Sequence, residues 1–270
     1  MKQVKKETHS KKKIATEILQ QIGGSVIFVL LLIAAVAIGM VGWLIITSKE
    51  TELTLESNAA VNQLTGFLKQ YTRCSEQLAV NSDIKEIMLS TKSGGDMWEN
   101  EKTEMVMNYL IQIANTDTEN VMAVWMSDLD SSTLTQSDGF TSEEGWDITG
   151  RAWYPCIETR KTILTKPYVD SSTGNMILSV AAPVCDDASG TVLGAVGMDI
   201  SLDHMTKIMS IYKIGKYGYI LLLSEDGTFV YHPQNEIIQK NIQEVNISQN
   251  AVNAVLSEND VFLKYKENGL

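Results

Sequence analysis

Three short elements hold most of the residues able to grip a small charged molecule: Arg151-Ala152-Trp153-Tyr154, Tyr168-Val169-Asp170 and Gly197-Met198-Asp199. A guanidinium forks onto a carboxylate, a carboxylate receives an ammonium group, and aromatic walls exclude water. One cation, two anions and several rings on rigid strands therefore suit a small zwitterion. Each residue also has a plainer reading. Arg151 serves equally well in a surface ion pair, Trp153 and Tyr154 as core, Asp170 as a turn residue before Ser171, and Asp199 as the N-cap of a helix near Ser201. Their joint occurrence favours a pocket.

Catalytic readings find less support. The three histidines (His9, His204, His232) stand at no metal-ligand spacing from a Cys or Glu. The sequence contains no nucleophile elbow, phosphate-binding loop or dinucleotide loop. Asp170 and Asp199 as an acid–base pair would lack a nucleophile, a metal and oxyanion donors. The reading is a binding protein that is not an enzyme, with no cofactor and no metal. Cys74, Cys156 and Cys185 fit no metal motif and read as buried thiols, with a Cys156–Cys185 bridge left open.

Taken in order, the three elements resemble the amino-acid-binding members of the double Cache family of extracytoplasmic sensor domains. That pattern has an Arg-x-Trp-Tyr, a Tyr-x-Asp and a Gly-hydrophobic-Asp strand, matched by Arg151/Trp153/Tyr154, Tyr168/Asp170 and Asp199. One position departs: the family places a Tyr five residues before the Arg, and this chain has Trp146. The resemblance implies that Arg151 and Trp153 take a carboxylate and that Asp199, with Asp170, takes an ammonium. It makes Tyr154, Tyr168 and Trp146 walls. It also implies chemoreception by a methyl-accepting chemotaxis protein, with cytoplasmic signalling partners reached through a region beyond residue 270. The alternatives are the input of a histidine kinase or cyclic-dinucleotide enzyme and, less favoured, a tethered solute-binding protein.

Positioning these residues requires strands. The runs Met176 to Val184 and Thr191 to Ile200 flank the polar turn at Asp186 to Gly190 and read as an antiparallel pair, with Pro183 ending the first. Val121 to Met126 and a run toward Gln136 read as two more, and Tyr219 to Tyr231 as a tight hairpin. Upstream, Ala60, Leu64, Phe67, Tyr71, Cys74 and Leu78 alternate steps of four and three, a helical stripe suited to core packing and to pairing with a second copy. Helices are also expected over 97–115, in the Arg151 to Arg160 segment, from Ser201 to Gly215 and over Ser248 to Leu256. A strand at 261–265 followed by Asn268-Gly269 looks like half a hairpin, so the sequence reads as cut inside a second module.

Ile22 to Ser48 carries no charge and exceeds the ~20 residues a bilayer core requires. It is longer than a signal-peptide core and lacks a small-x-small cleavage site, so it reads as an uncleaved anchor. Residues 1–20 carry a net charge of +4, which puts that end in the cytoplasm, and the remainder carries −15. An acidic body argues against nucleic acid. The expected class is α+β: a basic tail (1–21), a membrane helix (22–48), a stalk helix (49–90), a membrane-distal PAS-like module holding the ligand (91–202) and a membrane-proximal one (203–270).

Overall fold

The computed structural model describes the backbone of residues 2–143, 145–212 and 218–257, and side chains from residue 30 onward, His204 excepted. Its contacts divide the chain into two units, Met1–Leu55 and Glu56–Leu270. The first unit is helical throughout its described length. Its apolar residues from Leu30 to Ile46 stand exposed, and the helix is long and apolar enough to cross a membrane.

In the second unit, α1 (Lys2–Ala79) continues the expected stripe. Ala60, Leu64, Tyr71 and Leu78 are buried, and Phe67 and Cys74 are half-buried against the same core. The stripe is thus spent on the protein's own sheet. The expected stalk over 49–90 is not one helix. Asn81 takes an extended conformation, and its side chain accepts from the N–H groups of Asp83 and Ile84, starting α2 (Ser82–Ser90). A single turn at Met97–Glu99 precedes α3 (Thr103–Asn115), again splitting a helix expected to be continuous.

The sheet begins with β1 (Val121–Asp128) and β2 (Thr133–Gln136). The short α4 (Pro155–Thr159) follows, with Pro155 where a missing N–H does no harm. Next come β3 (Ile163–Leu164), β4 (Tyr168–Val169), β5 (Met176–Cys185) and β6 (Val192–Ser201). The order is β2-β1-β6-β5-β3, all antiparallel, with β4 also on β5. Pro183 does not end its strand. It pairs with Ala195 on β6 and lies beyond the last β3 partner, Ala181, where β5 has a neighbour on one side only and a proline is tolerated.

Both faces of the sheet are covered, which is why β5 and β6 read as unbroken apolar runs. Leu178, Val180, Val196, Met198 and Ile200 pack with α1, α2 and α3. Trp125, Ala181 and Ala195 pack on the other face with Ile148, Trp153 and Cys156. Two polar ties join α1 to this sheet. Tyr71 Oη donates to Asp117 Oδ2 at 2.6 Å, Asn120 Nδ2 donates to Asp117 Oδ1 at 2.6 Å, and Asn120 O receives the Ser201 N–H at 2.8 Å. Ser75 Oγ donates to the Val180 carbonyl at 3.3 Å.

After Ser201 the chain forms α5 (Leu202–Ile211). Ser201 sits at the expected N-cap, but its side chain makes no capping bond. The hairpin β7 (Leu222–Leu223) and β8 (Phe229–Tyr231) follows, and α6 (Gln249–Val255) is capped by Ser248. Phe229, Ile242 and Val252 form a separate small core there. The turn expected at Gly215 and the strand expected over 261–265 with its Asn268-Gly269 lie outside the described residues.

Candidate functional site

Asp199 lies near the end of β6, opposite Ser179 on β5 and Ala123 on β1, and is 4% exposed. Its carboxyl does not cap α5. Oδ1 accepts from Ser179 Oγ at 2.5 Å and from the indole Nε1 of Trp125 at 2.9 Å. Tyr168 Oη lies 2.6 Å from Ser179 Oγ, so a polar chain runs from β4 across β5 to β6. Burial, outweighing those two hydrogen bonds and aided by the Asp170 and Asp138 carboxylates, pushes the Asp199 carboxyl up to about 7. Burial and the Asp199 carboxylate likewise drive the Tyr168 phenol above its ordinary range.

Trp125 reaches Asp199 because the residue opposite it is Gly197. A Cβ at Gly197 would sit 2.3 Å from Trp125 Cζ2 and 2.7 Å from the Val180 carbonyl oxygen. The Trp125 ring stacks on Trp153 (4.7 Å between centroids), and Trp153 lies 6.4 Å from Trp146. The Arg151 guanidinium closes this row, 3.9 Å above the Trp146 ring, with Nε donating to the Asp147 carbonyl at 3.1 Å.

Trp125, Gln136, Phe140, Trp146, Arg151, Trp153, Tyr168, Asp170 and Asp199 line one cavity of about 30 Å³, room for one or two waters. Of the residues singled out in the sequence, Trp146, Arg151, Trp153, Tyr168, Asp170 and Asp199 come together here. Tyr154 does not line the cavity. It packs half-buried beside Cys156 and Ile157 instead. Asp170 lines the cavity but spends Oδ2 on its own turn, accepting from Ser172 Oγ, Thr173 N and Thr173 Oγ1. Burial works to raise its pKa, yet these bonds outweigh it and hold the carboxyl below its ordinary value. Sequence reasoning missed Trp125, Gln136, Phe140 and Ser179. The signal for Ser179 was its single hydroxyl within an apolar strand that runs beside the acid's own.

All three cysteines are free thiols, and burial pushes Cys156 up to about 12, unfit for thiolate chemistry at neutral pH. Among the described residues no group of acids, histidines and cysteines is placed to hold a metal ion.

An antiparallel sheet with the long helices on one face, and a cation, a buried acid and a row of indoles meeting with the short α4 on the other, is a PAS-like α+β arrangement. Residues 45–269 match the family model described as Cache domain, and the chain belongs to that family. Over 100 residues it is 34% identical to the methyl-accepting chemotaxis protein PscA of Pseudomonas syringae pv. tomato, covering 37% of this chain and 16% of that protein. The chain thus matches about one sixth of the relative's length. Two solved structures share the fold. One is the ligand-binding domain of the Pseudomonas fluorescens chemoreceptor CtaA with L-valine (27% identity, TM-score 0.53, covering 67% of this chain and 73% of that one). The other is the ligand-binding domain of the Pseudomonas aeruginosa amino acid chemoreceptor PctC with GABA (25% identity, TM-score 0.54, covering 72% and 82%).

Proposed function

We propose that this chain is the membrane-anchored sensory region of a bacterial methyl-accepting chemotaxis protein, and that it binds an amino acid or related amine outside the cytoplasm. The observation that carries the reading is the convergence of Arg151 and Asp199 on one indole-walled cavity. Arg151 takes the ligand carboxylate and Asp199 the ammonium, while Trp146, Trp153 and Tyr168 form the walls. Asp170 acts chiefly by holding its turn beside the cavity, and Tyr154 by packing under the Arg151 segment. The exposed apolar residues from Leu30 to Ile46 supply the anchor, and the lysines before them keep that end cytoplasmic. On this reading the module at 91–202 carries the six-stranded sheet and the one at 203–270 the two-stranded sheet. Pairing of two copies through α1 belongs to the same reading. It must use faces of the helix other than the buried stripe, and signalling partners act through parts of the receptor other than this domain.

Calorimetry with a panel of amino acids tests the ligand class. Arg151→Ala or Asp199→Ala should weaken binding about tenfold to several hundredfold, since a charge-assisted bond contributes roughly 1.5–3 kcal/mol and 1.4 kcal/mol is tenfold. A decarboxylated amine should bind poorly and be indifferent to Arg151→Ala. Tight binding of a carboxylate-free ligand that ignores Arg151→Ala would overturn the assignment of that residue.

A further inference from the structure

The acid in this site is held unlike an ion-pair partner. Asp199 is buried, and it forms no ion pair among the described residues. Both of its donors, Ser179 Oγ and Trp125 Nε1, are neutral and both address Oδ1. The charged groups that face it are mostly of its own sign. Asp170 follows β4 and Asp138 follows β2, and both oppose its ionisation. Among the described residues that line the cavity the one cation is Arg151, which is stacked over Trp146 and bonded to the Asp147 carbonyl. Tyr168, the remaining titratable neighbour, stays neutral and reaches Asp199 only through Ser179. An isolated carboxylate is costly in such surroundings, and a neutral carboxyl is the form they favour.

We infer that Asp199 carries a proton in the ligand-free protein and releases it when an ammonium group binds, with Ser179 and Trp125 as positioning residues that occupy Oδ1 and leave Oδ2 to the ligand. The inference rests on the amino-acid reading above. The exchange balances: a protonated carboxyl and an ammonium ligand become an ammonium–carboxylate pair, and one proton passes to the buffer. The arriving charge supplies the partner that the empty pocket lacks, and the two neutral donors then steady the ionised form. Tyr168 completes the hydrogen-bonded chain, since a Ser179 hydroxyl that donates to Asp199 can accept a hydrogen bond from the Tyr168 phenol.

Two measurements on the full-length chain in detergent test it. The first needs no ligand. Infrared spectroscopy should find a protonated-carboxyl band that fades as pH rises through about 7 and is absent from Asp199→Asn. Its absence from the wild-type protein would overturn the proposal outright. The second is calorimetry with L-valine, L-arginine and GABA in buffers of differing ionisation heat. The expected result is release of close to one proton per ligand near pH 5.5 and close to none near pH 8.5. Ser179→Ala removes a donor that favours the ionised form, so the pH at which affinity levels off should rise by roughly one to two units. A merely structural role for Ser179 would weaken binding by one factor at every pH, and that result would overturn the positioning role. Binding without proton release would sink the proton linkage and leave the amino-acid reading standing. Failure of all three probes at every pH, with the infrared band present, would count against that reading instead.

Discussion

Replacing Gly197 by alanine tests the seat on which the site is built. The new Cβ would lie 2.3 Å from Trp125 Cζ2 and 2.7 Å from both Cε2 and the Val180 carbonyl oxygen. Carbon atoms in contact sit about 3.5 Å apart or more, so the ring must retreat by roughly 1.2 Å. The carbonyl belongs to the neighbouring strand and cannot give way cheaply. Such a retreat stretches the 2.9 Å bond from Trp125 Nε1 to Asp199 to about 4 Å, past any useful hydrogen bond. Overpacking costs about 1–3 kcal/mol, and stranding a buried donor and acceptor costs another ~1–3 kcal/mol. The sum, about 2–6 kcal/mol, is a large share of the ~5–15 kcal/mol that holds a typical domain. Urea unfolding of Gly197→Ala, alone and combined with Trp125→Leu, separates the two contributions. The indole's share of the loss should vanish once Trp125 is gone, a coupling of at least about 1 kcal/mol, while the share due to the Val180 carbonyl remains. Gly194→Ala is the control: its Cβ would meet the Ser127 carbonyl at 2.1 Å, a backbone clash that no change at Trp125 relieves. Equal costs for Gly197→Ala in both backgrounds would refute the reasoning.

Three further outcomes follow from the same geometry. Tyr71→Phe removes the 2.6 Å bond to Asp117 and should cost about 1.5–3 kcal/mol in urea unfolding, the range for bonds to charged groups. The Asp199 carboxyl titrates near 7 when folded and in its ordinary range when unfolded, so the folded state holds the extra proton between those limits. Ligand-free stability should therefore fall as pH rises from about 4 to about 7 and level off above it, and Asp199→Asn should flatten that slope in pH-dependent unfolding. Trp146→Leu deletes the ring beneath Arg151 and should weaken amino-acid binding by about 2- to 30-fold in calorimetry, whereas Trp146→Phe should keep most of the affinity.

Much of this arrangement was legible in the sequence because period and turn chemistry act locally. The stripe from Ala60 to Leu78 and the strand pair around Asp186 to Gly190 follow from nearest-neighbour patterns, whereas the six cavity residues stood out as a set through their resemblance to the family's motif. What escaped depends on partners far along the chain. Ser179 matters only because β5 places it opposite Asp199, and Trp125 only because Gly197 makes room across β1 and β6. The lone hydroxyl in β5 marks Ser179 as unusual, but the register that sets it against Asp199, and Gly197 against Trp125, is fixed only by the strand pairing. The break at Asn81 was hidden because asparagine fits a helix surface tolerably and reveals itself as a cap only through its bonds to Asp83 and Ile84. Asp170 shows the opposite case: the modest reading as a turn residue describes where its carboxylate goes, even though it also borders the cavity.

The smallness of the cavity has a kinetic consequence. A space of about 30 Å³ admits a water or two, not an amino acid, so the closed arrangement cannot be the one a ligand meets first. The lining must part before capture, so that only the fraction of molecules so opened is competent to bind. The observed association rate should then stop rising at high ligand concentration and settle at the opening rate, the same plateau for every ligand that fits. Dissociation would be gated by the same motion. Ligands of quite different affinity would share a ceiling on how fast they are detected and differ mainly in how long they are held.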